Sequence, residues 1–294
     1  LGVEISSIQM KQYSMQKLFN SLVTNSLIRS FADKETARVY PFSNNFRKQL
    51  ELNNLKVKNL QSELLWRFKC STHLGFAFVN LINILRYDRI NLGQKTKNLD
   101  LYIHGVQKEA ILTSQTNEEL DNILSFFKNR NKTDKIMVYL LGDKNTKFQY
   151  DPCIVKSPFF GFSFYNKIKI IFFFTILAIR AFWDLIFGSG YLPFMSNEIM
   201  LKKLALKMND EYIAKEYAFS QSSISYFPAW LDVLSQRGAL VTLYFYSHNL
   251  LPMQTKEVKQ EWHYLYHLLN WPNYLVWDKI FGNEIKKIAL NSPN

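Results

Sequence analysis

The sequence predicts an α/β protein: a Rossmann-like, mostly parallel sheet with flanking helices and helical additions at its N-terminal end. Three observations carry that expectation. From residue 212 onward, strand and helix patterns alternate as strand, helix, strand, helix, strand. The strand candidates are short runs of β-branched and aromatic residues, ALVTLYFY at 239–246 being the clearest. Apolar residues make up 48% of the 294 and aromatics 16%, which supports a substantial core and excludes a disordered chain.

In chain order, residues 7–30 have the periodicity of a helix or two, and 37–42 (ARVYPF) read as a short strand halted at Pro41. Residues 46–86 read as a helical insertion, because Leu60, Leu64, Leu65 and Phe68, then Leu74, Phe78, Leu81 and Leu85, recur at three- and four-residue steps. Residues 98–104 alternate like a strand that stops at Gly105. Residues 117–129 read as a helix with Glu118 and Glu119 in its first turn. Residues 135–141 (KIMVYLL) form a buried-strand candidate, and 143–158 the plausible linker.

Residues 159–187 are very apolar and aromatic, but Lys167, Lys169, Arg180 and Asp184 interrupt them. The longest uncharged run, 170–179, is about half of the ~20 residues needed to cross a bilayer, so a spanning helix is not expected. Two fates stay open. One is a buried core helix, the commoner outcome. The other is a helix in the membrane interface, with Trp183 and the basic residues at headgroup depth.

The net charge of +12 suits an anionic membrane surface or an anionic substrate such as a sugar nucleotide, or it is simply a solvated face. The lysines are spread out and no aromatic-basic motif occurs, so nucleic acid is not an expected partner. Neither the glycine-rich dinucleotide fingerprint nor the P-loop is present. Cys70 and Cys153 lie far apart without neighbours at metal-ligand spacing, so two reduced thiols and no metal are expected. With no secretory signal in the chain, the expected compartment is cytoplasmic. The chain begins at Leu1, so an upstream start is expected.

The last third carries the candidate site. Asn197 is expected to cap a helix to about 208 with Glu198 in its first turn, before a strand centred on Tyr217-Ala218-Phe219. Ser225 is expected to cap a helix over 226–237 with Pro228 in its first turn, and Gly238 stops it. The strand 239–246, a helix at about 256–269 and a strand at 274–277 follow. In a parallel sheet the three strands end on one edge, which gathers Ser222 and Ser223, His248 and Asn249, and Asp278. Open α/β sheets bind ligands there, and the serines also precede a helix N-terminus suited to anions. Alternatively, each cluster only punctuates a strand end, as Ser, Asn and Asp commonly do.

Three stretches resemble a group of bacterial surface-polysaccharide biosynthesis proteins: SSISYFPAW (222–230), LYFYSHN (243–249) and NWPNYLVWD (270–278). The group carries a serine-rich loop before a Pro-x-Trp helix, a Tyr-Phe-Tyr-Ser-x-Asn strand end and an Asn-Trp-Pro-x-Tyr-Leu-Val-Trp-Asp block. It is similar to glycosyltransferases of the GT-B type, in which two Rossmann-like halves face across a cleft. The resemblance covers 210–278, roughly a quarter of the chain. It implies that residues 1–294 form the acceptor-side half. The reaction implied is metal-independent and cofactor-free transfer of a sugar from a nucleotide donor to a glycan or lipid-linked acceptor at the inner membrane surface.

In that scheme His248, which follows the strongest strand, is the candidate general base, since its ordinary pKa lies near working pH. Ser222, Ser223, Asn249 and Asp278 are the candidate substrate contacts. Of the other histidines, His73 and His104 lie in apolar elements, and His263 and His267 are four apart on an expected helix. In the family the last block leads into the donor-binding half, whereas this chain ends at Asn294, so donor turnover by the isolated chain is not expected. Lys279-Ile280-Phe281-Gly282 stands where the family has an acidic-aromatic pair and a Gln. A second function class, a non-catalytic membrane-surface or assembly partner in the same biosynthesis, fits the charge and the apolar segment.

Overall fold

The structure, a computed structural model of the chain, describes residues 3–5, 59–87, 97–107, 123–133, 135–141, 153–155, 157–188, 190–220, 226–245, 271–276 and 278–291. Its elements are β1 (Val3–Ile5), α1 (Asn59–Tyr87), β2 (Leu101–Gln107), α2 (Ile123–Asn131), β3 (Ile136–Leu141), β4 (Cys153–Val155), α3 (Phe164–Phe187), α4 (Tyr191–Lys207), β5 (Glu216–Ser220), α5 (Ala229–Gln236), β6 (Leu240–Tyr244), β7 (Asn273–Val276) and α6 (Lys279–Asn291). The helices and strand expected at 7–30, 37–42 and 256–269 lie outside the described residues.

Among the described residues, seven strands form one sheet in the order β1-β7-β6-β5-β2-β3-β4. The six from β7 to β4 are mutually parallel, and β1 pairs antiparallel with β7 at the edge. The α/β, Rossmann-like expectation therefore holds. From β2 the chain winds outward through β3 and β4, then returns beside β2 as β5 and winds the other way through β6 and β7.

Period-two patterning assigns both faces of the sheet. Tyr102, Met137, Tyr217, Phe219, Val241, Leu243, Tyr274 and Val276 point into one core, shared with α1, α3, α4 and α5. The alternate residues Leu101, Ile103, Ile136, Val138, Ala218, Tyr244 and Leu275 point into the other, closed by Phe127 of α2. Burial on both faces explains why these strands read as nearly continuous apolar runs.

Several local expectations shift. β2 does not stop at Gly105 but runs to Gln107, through a bulge between His104 and Val106 that Gly105 accommodates at φ 76°. The stretch expected as a linker contains β4, an edge strand paired with β3. The helix expected from Asn197 starts at Tyr191, with Pro193 in its first turn where a missing N–H costs nothing. Asn197 is therefore mid-helix and accepts a hydrogen bond from Asn80 Nδ2 at 2.9 Å. α5 starts at Ala229 with Pro228 as its N-cap residue, because proline disfavours helical geometry in the residue before it. Gly238 ends α5 at φ 91°, as expected.

The amino-terminal edge of the sheet is held by a polar network. Glu216, buried at the start of β5, accepts from Arg130 Nη1 at 2.8 and 2.9 Å, Asn131 Nδ2 at 3.0 Å and Thr242 Oγ1 at 2.8 Å. Nearby, Lys215 meets Asp100 at 2.7 Å. Hydrogen bonds from Lys215 and Thr133 hold the Asp100 carboxyl below its ordinary range. Asp100 thus serves the strand ends.

α3 and α4 form a helical hairpin on the first core. At one end Asn166 Nδ2 donates to the Lys207 carbonyl at 3.0 Å, and at the other Leu192 N donates to Asp184 Oδ2 at 2.6 Å. The turn between them is pressed against α1. A Cβ on Gly190 would lie 2.7 Å from Trp66 Nε1 and 3.0 Å from Cys70 Sγ, and its φ is 77°. Arg67 of α1 also donates to the terminal carbonyls of α3, at 2.9 Å for Ile186. α4 buries eight of its residues, whereas α3 buries only Ile170, Leu177 and Ala181. The core fate expected for 159–187 therefore holds for Phe159, Phe160, Phe162 and one stripe of α3, while the rest of the helix is exposed. Among the described residues α3 is also the one helix long and apolar enough to cross a membrane, since Arg180 and Asp184 are its only charges after Lys169.

Candidate functional site

The winding of the chain locates a switch point. β2 and β5 are adjacent and parallel, yet the helices that follow them lie on opposite faces: Phe127 of α2 packs in one core, Trp230 and Leu231 of α5 in the other. The direction of winding thus reverses between β2 and β5, and such a switch point is where open α/β sheets take their ligands.

Beneath this point the sheet is aromatic. His104 of β2 lies flat between Tyr139 of β3 and Phe219 of β5, with ring centroids 4.6 Å apart on both sides. Its Nδ1 is 2.9 Å from the Tyr102 hydroxyl. Burial lowers its pKa to about 4, so the ring is neutral at physiological pH and a weak proton acceptor there. His73 is likewise lowered to about 4, by burial and then by Lys69, and packs on Phe194 at 4.5 Å. Both histidines serve packing.

Of the five residues picked out from sequence, Asp278 is described. It lies just past β7, where its Oδ1 accepts from Phe281 N at 2.8 Å and so caps α6. Ser222 and Ser223 follow β5, and His248 and Asn249 follow β6; these four lie outside the described residues. β5, β6 and β7 are parallel neighbours that end at Ser220, Tyr244 and Val276, so the chain leaves all three toward one edge. The serines follow the strand at the switch point itself, with the β6 and β7 ends one and two strands away.

Sequence reasoning missed Glu198. The sequence places it in the first turn of a helix, but it is buried, one turn past Phe194 on α4. Its Oε1 accepts from the Tyr226 hydroxyl and its Oε2 from Ala229 N, both at 3.1 Å. Pro228 supplies no side-chain cap to α5, so Glu198 caps that helix from a neighbouring one. Burial raises its carboxyl pKa, against the two hydrogen bonds. Tyr226 is the first described residue after Ser222 and Ser223, so Glu198 anchors the chain just past them in sequence. The available signal was a polar Ser-Asn-Glu step inside an apolar helix. Among the described residues, no three His, Cys, Asp or Glu side chains gather where they could hold a metal ion.

An α/β domain with a switch point at its carboxyl edge is thus the class that fold and site define. Residues 177–293 match the family model described as Polysaccharide biosynthesis PFTS motif protein. The match runs from the second half of α3 to the end of α6, and so includes β5, β6, β7 and the buried Glu198. Within it Pro193-Phe194-Met195-Ser196, all buried, differs from the four letters of that description only in the third. The match supports a polysaccharide biosynthesis protein. No curated protein and no solved structure matches the chain.

Proposed function

We propose that the protein acts in bacterial surface polysaccharide or lipopolysaccharide biosynthesis as a glycosyltransferase, or as the acceptor-side half of one of GT-B type. It would transfer a sugar from a nucleotide donor to a glycan or lipid-linked acceptor. The observation that carries the reading is the switch point between β2 and β5, with the matched region supplying the β5, β6 and β7 side of it. In this reading His248 takes the proton of the acceptor hydroxyl as general base. Ser222, Ser223 and Asn249 hold the acceptor, and Asp278 fixes the start of α6 at the same edge. The α5 N-terminus, which follows the serines in sequence, suits an anionic or hydroxyl ligand. No metal enters the scheme. A cytoplasmic setting goes with it, and the Cys70 thiol is buried, donating to the Gly190 carbonyl at 3.3 Å.

The test is transfer from a panel of nucleotide sugars to membrane-extracted acceptors, by the full chain and by the chain supplemented with any separately encoded donor-binding half. His248→Ala is expected to lower the rate about 10²–10⁴-fold with the fold intact, as loss of a positioned acid or base does, and chelator is expected to leave the rate unchanged. Full activity in His248→Ala would remove the proposed base. The second reading, a non-catalytic membrane-surface partner, draws on the exposed side of α3 and predicts no transfer in either arrangement.

A further inference from the structure

We infer that the outward face of α3 is a docking surface for an anionic lipid bilayer, on which the helix lies flat rather than crossing. The inference does not depend on the transferase reading.

The face is apolar where a solvated helix would be polar. Phe172, Trp183 and Phe187 are 67, 59 and 73% exposed, and Ile168 and Ile179 are exposed beside them. A 24-residue helix is about 36 Å long, and apolar exposure sustained over that length marks a partner surface. Phe78 of α1, itself exposed, meets Phe174 of α3 at 5.8 Å and widens the patch.

Charge identifies the partner. Lys169 and Arg180 stand exposed among the apolar side chains. The only acidic residue of α3, Asp184, accepts from Leu192 N of α4. A second copy of the same face would bury two sets of cations with no acidic partner, which is unfavourable. Anionic headgroups supply the missing charge, and long basic stems reach them while their apolar parts stay in the acyl boundary. Tyr165 lies beneath Lys169 at 3.9 Å and Trp183 stacks on Phe187 at 5.1 Å, aromatic rings that suit the headgroup boundary along the length of a flat helix.

Flat docking follows from how α3 is held. It is tied to α4 at both ends, packs on α1, and has Lys203 of α4 over Phe173 at 4.7 Å. Crossing the bilayer would carry α4, with buried Ser196 and Glu198, into hydrocarbon.

The experiment is flotation of the full chain with phosphatidylcholine vesicles, with or without about a quarter phosphatidylglycerol, at low and high salt. Binding is expected to require phosphatidylglycerol and to weaken with salt, each basic residue near the surface being worth about fivefold in partition. Phe172→Asp with Ile179→Asp should lower binding more than tenfold with an unchanged circular dichroism spectrum. Lys169→Glu with Arg180→Glu should abolish the lipid preference. Indifference to both vesicles at low salt would overturn the inference. So would unchanged binding by the aspartate variant, or a lipid-indifferent dimer that the aspartates dissolve. Lipid binding and sugar transfer are read separately, so either can fail alone.

Discussion

α3 and α4 are neighbours joined by a three-residue turn, yet they reverse the usual relation between composition and burial. The more apolar helix, α3, buries three of 24 residues; the more polar α4 buries eight of 17, including Ser196 and Glu198. Position in the fold explains the reversal. α4 lies between α1, α3 and α5, so about half of what it carries is enclosed, and the polar atoms there must find partners. α3 is the outermost layer, and only a narrow stripe of it meets protein. An apolar helix therefore need not be a core helix: its remaining face can be matched to another solvent.

The contrast predicts a graded set of stabilities. The largest loss belongs to Leu204→Ala in α4, a fully buried site, at about 2–5 kcal/mol in denaturant unfolding. Glu198→Ala comes next, at about 1–3 kcal/mol, because it removes the acceptor of the buried Ala229 N–H and of the half-buried Tyr226 hydroxyl. A comparable loss in Ile179→Ala, expected to stay within about 0.5 kcal/mol without lipid, would break the contrast.

Glu198 also sharpens it through pH. Its folded pKa is raised above the ordinary 4.5 by burial. The favourable contribution is therefore complete below the unfolded value and is lost as pH rises through the folded one. Glu198→Gln removes this titration and can still accept from Ala229 N and pair with the Tyr226 hydroxyl. Relative to Glu198→Gln, the native protein should lose stability as pH rises from about 4.5 toward neutrality. Parallel pH profiles for the two proteins would show that the carboxyl is not desolvated.

Sequence patterning revealed the parallel sheet well where strands were uninterrupted, as at β3, β5, β6 and β7, because two-sided burial leaves long apolar runs. It failed where three-dimensional context decided. Gly105 reads as a stop but is a bulge that lets β2 continue, and β4 is three residues long and exists by pairing with β3. Asn197 has the chemistry of a cap, yet the helix begins six residues earlier, at Tyr191. For the site, the order of strands exposed the edge that Ser222, His248 and Asp278 follow. The switch point required knowing that β5 returns beside β2, a long-range pairing with no local signature. Glu198 was hidden for the same reason, since its partners lie 28 and 31 residues away.

Whether the exposed side of α3 meets lipid can be read at Trp183, which projects from that side, whereas Trp230 and Trp271 are buried in the core. Vesicles containing phosphatidylglycerol with brominated acyl chains quench indoles that reach the acyl boundary. Part of the tryptophan emission of the bound native protein should be quenched, and that part should be missing in Trp183→Phe. Bound protein with no quenching, or with equal quenching in Trp183→Phe, would contradict the account.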